Sequence, residues 1–148
     1  MSAIVFVDTN VLVYAVDSSQ GEKQRQCRDW LVALWDSRRG RVSVQVLQEC
    51  YLTLTRKLRP GLPPAEARRE VEAYLAWHPL TISPEVLQRA WGVEATFGLS
   101  FWDSLIVAAA LASGARFLLT EDLQDGQDLF GIRVVNPFLH HWRAVADE

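Results

Sequence analysis

Ile4-Val5-Phe6-Val7-Asp8-Thr9-Asn10-Val11-Leu12-Val13-Tyr14 is the stretch that decides the fold. Its four leading apolar residues, β-branched or aromatic, read as a strand buried on both faces, the habit of a parallel sheet. The run stops at a carboxylate, a hydroxyl and a carboxamide before apolar residues resume. In open α/β sheets the ligand crevice lies outside the carboxyl ends of the strands, which puts Asp8 on its floor. Asp8 has a second reading, as N-cap of the helix that follows, and both uses need the same exposed strand end.

Outward from this strand, short strands alternate with helices. Residues 10–15 read as a short helix that breaks near Asp17-Ser18-Ser19. Residues 22–37 read as a longer one, with Cys27, Trp30, Leu31, Leu34 and Trp35 on one face. A strand at 41–44 and a helix at 45–58 follow, the helix carrying Val46, Cys50, Leu54 and Leu58 inward. Arg59-Pro60-Gly61-Leu62-Pro63-Pro64 is a loop, and Pro64 suits the first turn of the next helix. That helix, to residue 77, buries Ala67, Val71, Tyr74 and Leu75. Residues 79–83 make a brief strand and 84–96 a helix. Ser100-Phe101-Trp102-Asp103 leads into 104–113, which is apolar nearly all round and therefore buried. A strand at 117–119 runs straight into Thr120-Glu121-Asp122, and a polar loop leads to a last strand at 132–135. The pattern predicts one α/β domain over residues 1–148 with a mainly parallel sheet.

A chain of 148 residues can bury a core without disulfides, and 49% hydrophobic with 22% charged residues is a folded composition. Cys27 and Cys50 sit in apolar surroundings with no CxxC or Cys/His cluster, which reads as two buried free thiols in a reducing compartment. No apolar run approaches the roughly 20 residues needed to span a bilayer. A core strand begins almost at once, with no basic leader before it. The expectation is a cytoplasmic protein with no membrane partner. A net charge of −3 argues against a generic nucleic-acid coat. Basic residues nevertheless bunch at Arg38, Arg39 and Arg41, at Arg56, Lys57 and Arg59, and at Arg68 and Arg69. Each bunch reads either as phosphate contacts or as a solvated helix end.

Four carboxylates are candidates for the chemistry. Asp122 repeats the Asp8 pattern just past an apolar strand, with Glu121, Asp125 and Asp128 crowding the same loop. Asp103 follows Ser100 at capping-box spacing. It also opens a helix with no polar face, so its charge must meet water or a cation. Glu49, at about 100° per residue, falls opposite the Val46, Cys50 and Leu54 face, as a surface glutamate does.

Asp8-Thr9-Asn10 after the first strand, Glu49 on a mid-chain helix, Phe101-Trp102-Asp103-Ser104 opening an apolar helix and Leu119-Thr120-Glu121-Asp122-Leu123 late in the chain together resemble a PIN domain. Within that family the likeness is to VapC-type toxins, the ribonuclease halves of toxin–antitoxin pairs, and it runs the length of the chain. The resemblance implies a three-layer α/β/α fold with a short five-stranded parallel sheet in the order 3-2-1-4-5. It implies an acidic site of Asp8, Glu49, Asp103 and Asp122, supported by Thr9 and Asn10. It further implies a metal-dependent endoribonuclease acting on RNA, an antitoxin that occludes or distorts the acidic site, and a homodimer. The Trp and Leu content of 22–37 and 45–58 suits such an interface as well as it suits a core.

Carboxylates without histidine or cysteine partners favour Mg²⁺ or Mn²⁺ over Zn²⁺. His78, His140 and His141 lie far from the acidic positions in sequence order. Asp8, Asp103 and Asp122 are then the expected metal ligands, with Glu49 positioning the ion or water. Trp102, beside Asp103, reads as a base stacker or as a core residue. A phosphatase of the haloacid-dehalogenase type wants a second Asp where Asn10 stands. A phospho-receiver domain needs a lysine after its last strand, and the lysines are Lys23 and Lys57. A PIN-like binding module that has lost catalysis is the remaining alternative, and the presence of all four acids speaks against it.

Overall fold

In the computed structural model, which describes residues 2–146, the opening strand is the middle of a five-stranded sheet. β1, Ile4–Val7, buries Val5, Phe6 and Val7 completely. β2, Gly40–Arg41, pairs with it in parallel on one side, and β3, Ala115–Leu119, in parallel on the other. The last two strands are β4, Asp128–Leu129, and β5, Ile132–Val135. β5 runs parallel to β3, and β4 closes that edge antiparallel to β5. The order is therefore β2-β1-β3-β5-β4.

Four of the expected strands keep their predicted neighbours, and the fifth needs correcting. The expected strand at 79–83 shrinks to a single parallel bridge between Leu80 and Ser43. Leu80 donates to the Val42 carbonyl and accepts from the Val44 N–H, but Pro79 and Pro84 lack the N–H groups that a longer ladder would use. The fifth strand is β4, returned onto β5 by a hairpin whose central residues, Phe130 and Gly131, have φ of 54° and 94°. Positive φ at both positions matches the right-handed twist of the flanking strands, and the Asp128 carboxylate accepts the Gly131 N–H at 3.0 Å.

Six α-helices cover the sheet: α1 Thr9–Val16, α2 Glu22–Ser37, α3 Val44–Leu52, α4 Pro64–Glu72, α5 Pro84–Phe97 and α6 Phe101–Ala112. The expected strand at 41–44 ends early because the Ser43 hydroxyl accepts the Val46 N–H at 3.2 Å and caps α3. The expected helix at 45–58 stays α-helical to Leu52 and then widens into a π-helical turn, Thr53–Lys57. The expected helix ending at 77 tightens after Glu72 into a 3₁₀ segment, Ala73–Trp77. That change of pitch brings Trp77 into the core and leaves Leu75, expected inside, 59% exposed. The α6 residues Leu105 to Ala110 are all buried, as an all-round apolar sequence requires.

Cys27 and Cys50 are buried free thiols, each pushed up to about 12 by burial. Among the described residues no single helix is long and apolar enough to cross a membrane.

The topology also locates the crevice. The chain leaves β1 for β2 in one direction and later crosses back past β1 to β3, so the direction reverses between β1 and β3. Such a reversal opens a ligand crevice at the strands' carboxyl ends. Val7 pairs with Leu119, so the next residues, Asp8 and Thr120, leave the sheet side by side.

Candidate active site

Asp8 extends the ladder one residue past β1, its N–H donating to the Leu119 carbonyl at 3.0 Å. Its side chain is only 6% exposed. Both sequence readings meet in it. Oδ1 accepts the Thr9 N–H at 2.7 Å and caps α1, while Oδ2 accepts the Thr120 hydroxyl at 2.9 Å. These donors do not offset desolvation: burial pushes the Asp8 carboxyl up to about 7, and the charges of Asp122 and Glu49 push the same way.

Thr120 is the hub that sequence reasoning misses. It is fully buried, and besides donating to Asp8 it accepts from Asn10 Nδ2 and from the Asp122 N–H, each at 3.1 Å. Asn10 Nδ2 also donates to Asp122 Oδ2 at 3.1 Å, and Asn10 Oδ1 accepts the Glu121 N–H at 3.4 Å. Asn10 thus ties the first turn of α1 to the segment after β3. The signal for Thr120 is its place, a hydroxyl one residue past an apolar strand and level with Asp8.

Glu49 requires a correction. It does not point to solvent opposite the core face. Its Oε2 accepts the Thr9 hydroxyl at 3.0 Å, and its Oε1 accepts Gln45 Nε2 at 3.0 Å. At about 100° per residue Glu49 lies some 60° from Val46, on the flank of the buried face. Gln45, one turn earlier and itself buried, also escapes the sequence reading.

Asp103 arrives from the other side. Ser100 Oγ accepts its N–H at 3.1 Å and starts α6, and its carboxylate acts through space on Asp122. The Asp122 carboxyl is raised first by desolvation and then by Asp103, Glu121 and Glu49, against the hydrogen bond from Asn10. Asp8, Glu49 and Asp122 are thus linked through Thr9, Asn10 and Thr120 at the switch point, and Asp103 is near enough to raise Asp122. The neighbouring acids are engaged elsewhere. Glu121 accepts the Tyr14 hydroxyl and pairs with Lys23 at 3.5 Å, and its hydrogen bond drives the Tyr14 hydroxyl up to about 12. Asp125 accepts the Asn136 N–H and meets His140 Nε2 at 2.8 Å.

The PIN domain family model matches residues 5–124. This chain belongs to the PIN domain family. No curated protein matches it. Among solved structures, this PIN domain is similar to a chain of a toxin–antitoxin complex from Klebsiella pneumoniae. That match has 21% identity and TM-score 0.64, and covers 90% of this chain and 97% of the other. It is similar to VapC20 of Mycobacterium tuberculosis, a sarcin–ricin-loop-cleaving toxin, at 22% identity and TM-score 0.55, over 77% of this chain and 86% of that one. It is also similar to a chain of VapBC2 from Rickettsia felis, bound to a promoter DNA fragment, at 15% identity and TM-score 0.60, over 88% and 96%. At these identities the likeness is one of fold.

The donors of this PIN domain suit a hard divalent cation: every candidate ligand is a carboxylate oxygen, and the charges acting on Asp8 and Asp122 are all negative. Among the described residues no three acidic, histidine or cysteine side chains stand close enough to cage an ion. Mg²⁺ does not need such a cage, because it keeps several waters and takes one or two carboxylates together with substrate phosphate. Beside the acids runs a groove of about 560 Å³, whose walls include Asn10, Tyr14, Glu49, Leu52, Lys57 and Asp122. Trp102 is 63% exposed next to Asp103, which removes its core reading.

Proposed function

We propose that this PIN domain is a divalent-metal-dependent endoribonuclease and the toxin of a type II toxin–antitoxin pair. What supports the reading is the network that joins Asp8, Glu49 and Asp122 through Thr9, Asn10 and Thr120 at the switch-point crevice, with Asp103 acting through space on Asp122. A cation bound there would offset the desolvation and like charge that raise the Asp8 carboxyl. The toxin–antitoxin neighbours, one of them an RNA-cleaving toxin, support the substrate class and the partner.

In this reading Asp8 and Asp103 are the principal metal ligands, and Asp122 is a ligand or orients water. Glu49, steadied by Thr9 and Gln45, positions the ion or the attacking water. Mg²⁺ or Mn²⁺ held there supplies charge neutralisation at the phosphate and a water of lowered pKa. Asn10 and Thr120 keep Asp8 and Asp122 in fixed relation, which is the preorganisation that in-line attack needs. Water attacks phosphorus, the bond to the 3′-oxygen breaks, and that oxygen takes up a proton.

The biological setting follows from the same reading. The protein works in the cytoplasm, where its two thiols stay reduced. An antitoxin covers the acidic site, and the toxin pairs as a homodimer. Core packing uses the inner faces of α2 and α3, so the dimer draws on their exposed residues such as Val32 and Val44. The phosphatase alternative remains disfavoured by Asn10.

Product ends test the chemistry. RNA cut in Mn²⁺ should carry 3′-hydroxyl and 5′-phosphate termini. Finding 2′,3′-cyclic phosphate would overturn the mechanism, because the RNA's own 2′-hydroxyl would then be the nucleophile.

A further inference from the structure

We propose that Lys57 is the phosphate anchor of the substrate strand, holding a backbone phosphate in the groove that it shares with Glu49 and Asp122. The proposal rests on the nuclease reading above and assigns the RNA-binding residue that reading lacks.

An acidic site repels RNA unless positive charge is supplied, and this chain carries 15 basic against 18 acidic side chains. Where the bases stand therefore matters more than how many there are. Of the residues lining the 560 Å³ groove, Lys57 is the one basic side chain, sharing it with Asn10, Glu49 and Asp122. It is exposed and, among the described residues, has no ion-pair partner. Val13, Leu52 and the Tyr14 ring give the groove an apolar wall for a base or sugar, the usual complement to a cation that tracks the backbone.

The backbone that presents Lys57 is itself unusual. In an unbroken α-helix Lys57, eight residues after Glu49, would lie about 80° round the axis from it. The helix instead widens at Thr53–Lys57, where the Leu58 N–H donates to the Thr53 carbonyl at 3.1 Å, five residues back. A π turn advances less per residue, so it takes back most of that rotation and returns Lys57 to the face of Glu49. The following loop locks the turn. The Leu62 N–H donates to the Leu54 carbonyl at 2.8 Å. Gly61 lies so close that a Cβ there would come within 2.4 Å of the Thr55 carbonyl oxygen. π turns of this kind concentrate at functional sites, and the neighbouring Arg56 and Arg59 do not line the groove.

The test is steady-state cleavage of an unpaired RNA by wild type, Lys57→Ala, Lys57→Arg and Arg69→Ala, between about 50 and about 200 mM salt. Lys57→Ala should raise KM about tenfold with kcat unchanged, the loss expected for one charge-assisted phosphate contact. The slope of log(1/KM) against log salt should become shallower by about 0.7, the value for one phosphate contact on a single strand. Lys57→Arg should restore both, and Arg69→Ala, an exposed base outside the groove, should change neither. If wild type cleaves and Lys57→Ala matches it in KM and slope, the anchor is refuted and the groove becomes a protein-docking face. Equal losses of kcat in Lys57→Ala and Lys57→Arg would also refute it, by showing a structural role for the turn. If wild type cleaves no RNA with any divalent ion, the nuclease reading falls first and takes the anchor with it.

Discussion

Replacing Asp8 with Asn removes one negative charge from the crevice floor while keeping the side chain's shape. Burial and the charges of Asp122 and Glu49 raise this carboxyl from 3.8 to about 7. At about 1.4 kcal/mol per pH unit, that difference is on the order of 4 kcal/mol against the charged form in the folded state. The sign follows from the protons bound. Between pH 4 and 7 the unfolded chain has released the Asp8 proton and the folded chain still holds it, so stability falls as pH rises through that window. Asn caps a helix as well as Asp does, but it gives up the charge-assisted bond from Thr120, worth about 1.5–3 kcal/mol. The net expectation at pH 8 is a variant about 2 kcal/mol more stable than wild type, or about 4–8 °C higher in Tm. Near pH 4, where both side chains are neutral when folded, the gain should vanish and the lost Thr120 bond should leave the variant the less stable of the two. Urea unfolding in EDTA at the two pH values measures it. A variant destabilised equally at both would refute the argument, because Asp8 would then be an ordinary cap whose charge the fold favours.

Substitutions at three further positions probe separate parts of the molecule. Thr120→Val keeps the volume of a fully buried side chain but removes the hydroxyl joined to Asp8, Asn10 and the Asp122 N–H. It should cost about 2 kcal/mol in urea unfolding and lower cleavage, while Thr120→Ser retains most of both. Gly40→Ala would drive a methyl to 2.5 Å from the Trp77 ring and should cost about 1–3 kcal/mol in the same assay, without changing which divalent ions support cleavage. Trp102→Ala, at an exposed position, should leave stability within about 0.5 kcal/mol. It should raise the KM for RNA at least about fivefold if the ring stacks on a base.

The parts of this molecule that local pattern dictates are legible in the amino-acid sequence. The buried strand Ile4–Val7, the helices Glu22–Ser37 and Phe101–Ala112 and the strand end before Asp122 each follow from hydrophobic period and an abrupt polar stop. What local pattern misjudges depends on register and on helix pitch. Leu75 turns outward because a 3₁₀ segment replaces an α turn, and residues 79–83 shrink to one bridge between two prolines. Periodicity assigns Glu49 to the surface because it describes a helix's own core face and says nothing of what packs on its flank. There the Thr9 hydroxyl waits, forty residues away in sequence. Thr120 carries no signature of its own. Its role arises only from the pairing of Val7 with Leu119, which sets it beside Asp8.

The central claim is that Asp8, Glu49, Asp103 and Asp122 form one divalent-ion site for RNA cleavage. Its most direct test is cleavage of labelled RNA by the purified protein in Mg²⁺ or Mn²⁺, with and without EDTA, for wild type, Asp8→Asn, Glu49→Gln, Asp103→Asn, Asp122→Asn and Glu121→Gln. Cleavage should be abolished by EDTA, lowered at least about a hundredfold by each of the first four substitutions, and preserved within a few-fold by Glu121→Gln. Cleavage that persists in EDTA, or that survives both Asp8→Asn and Asp103→Asn, would contradict the claim.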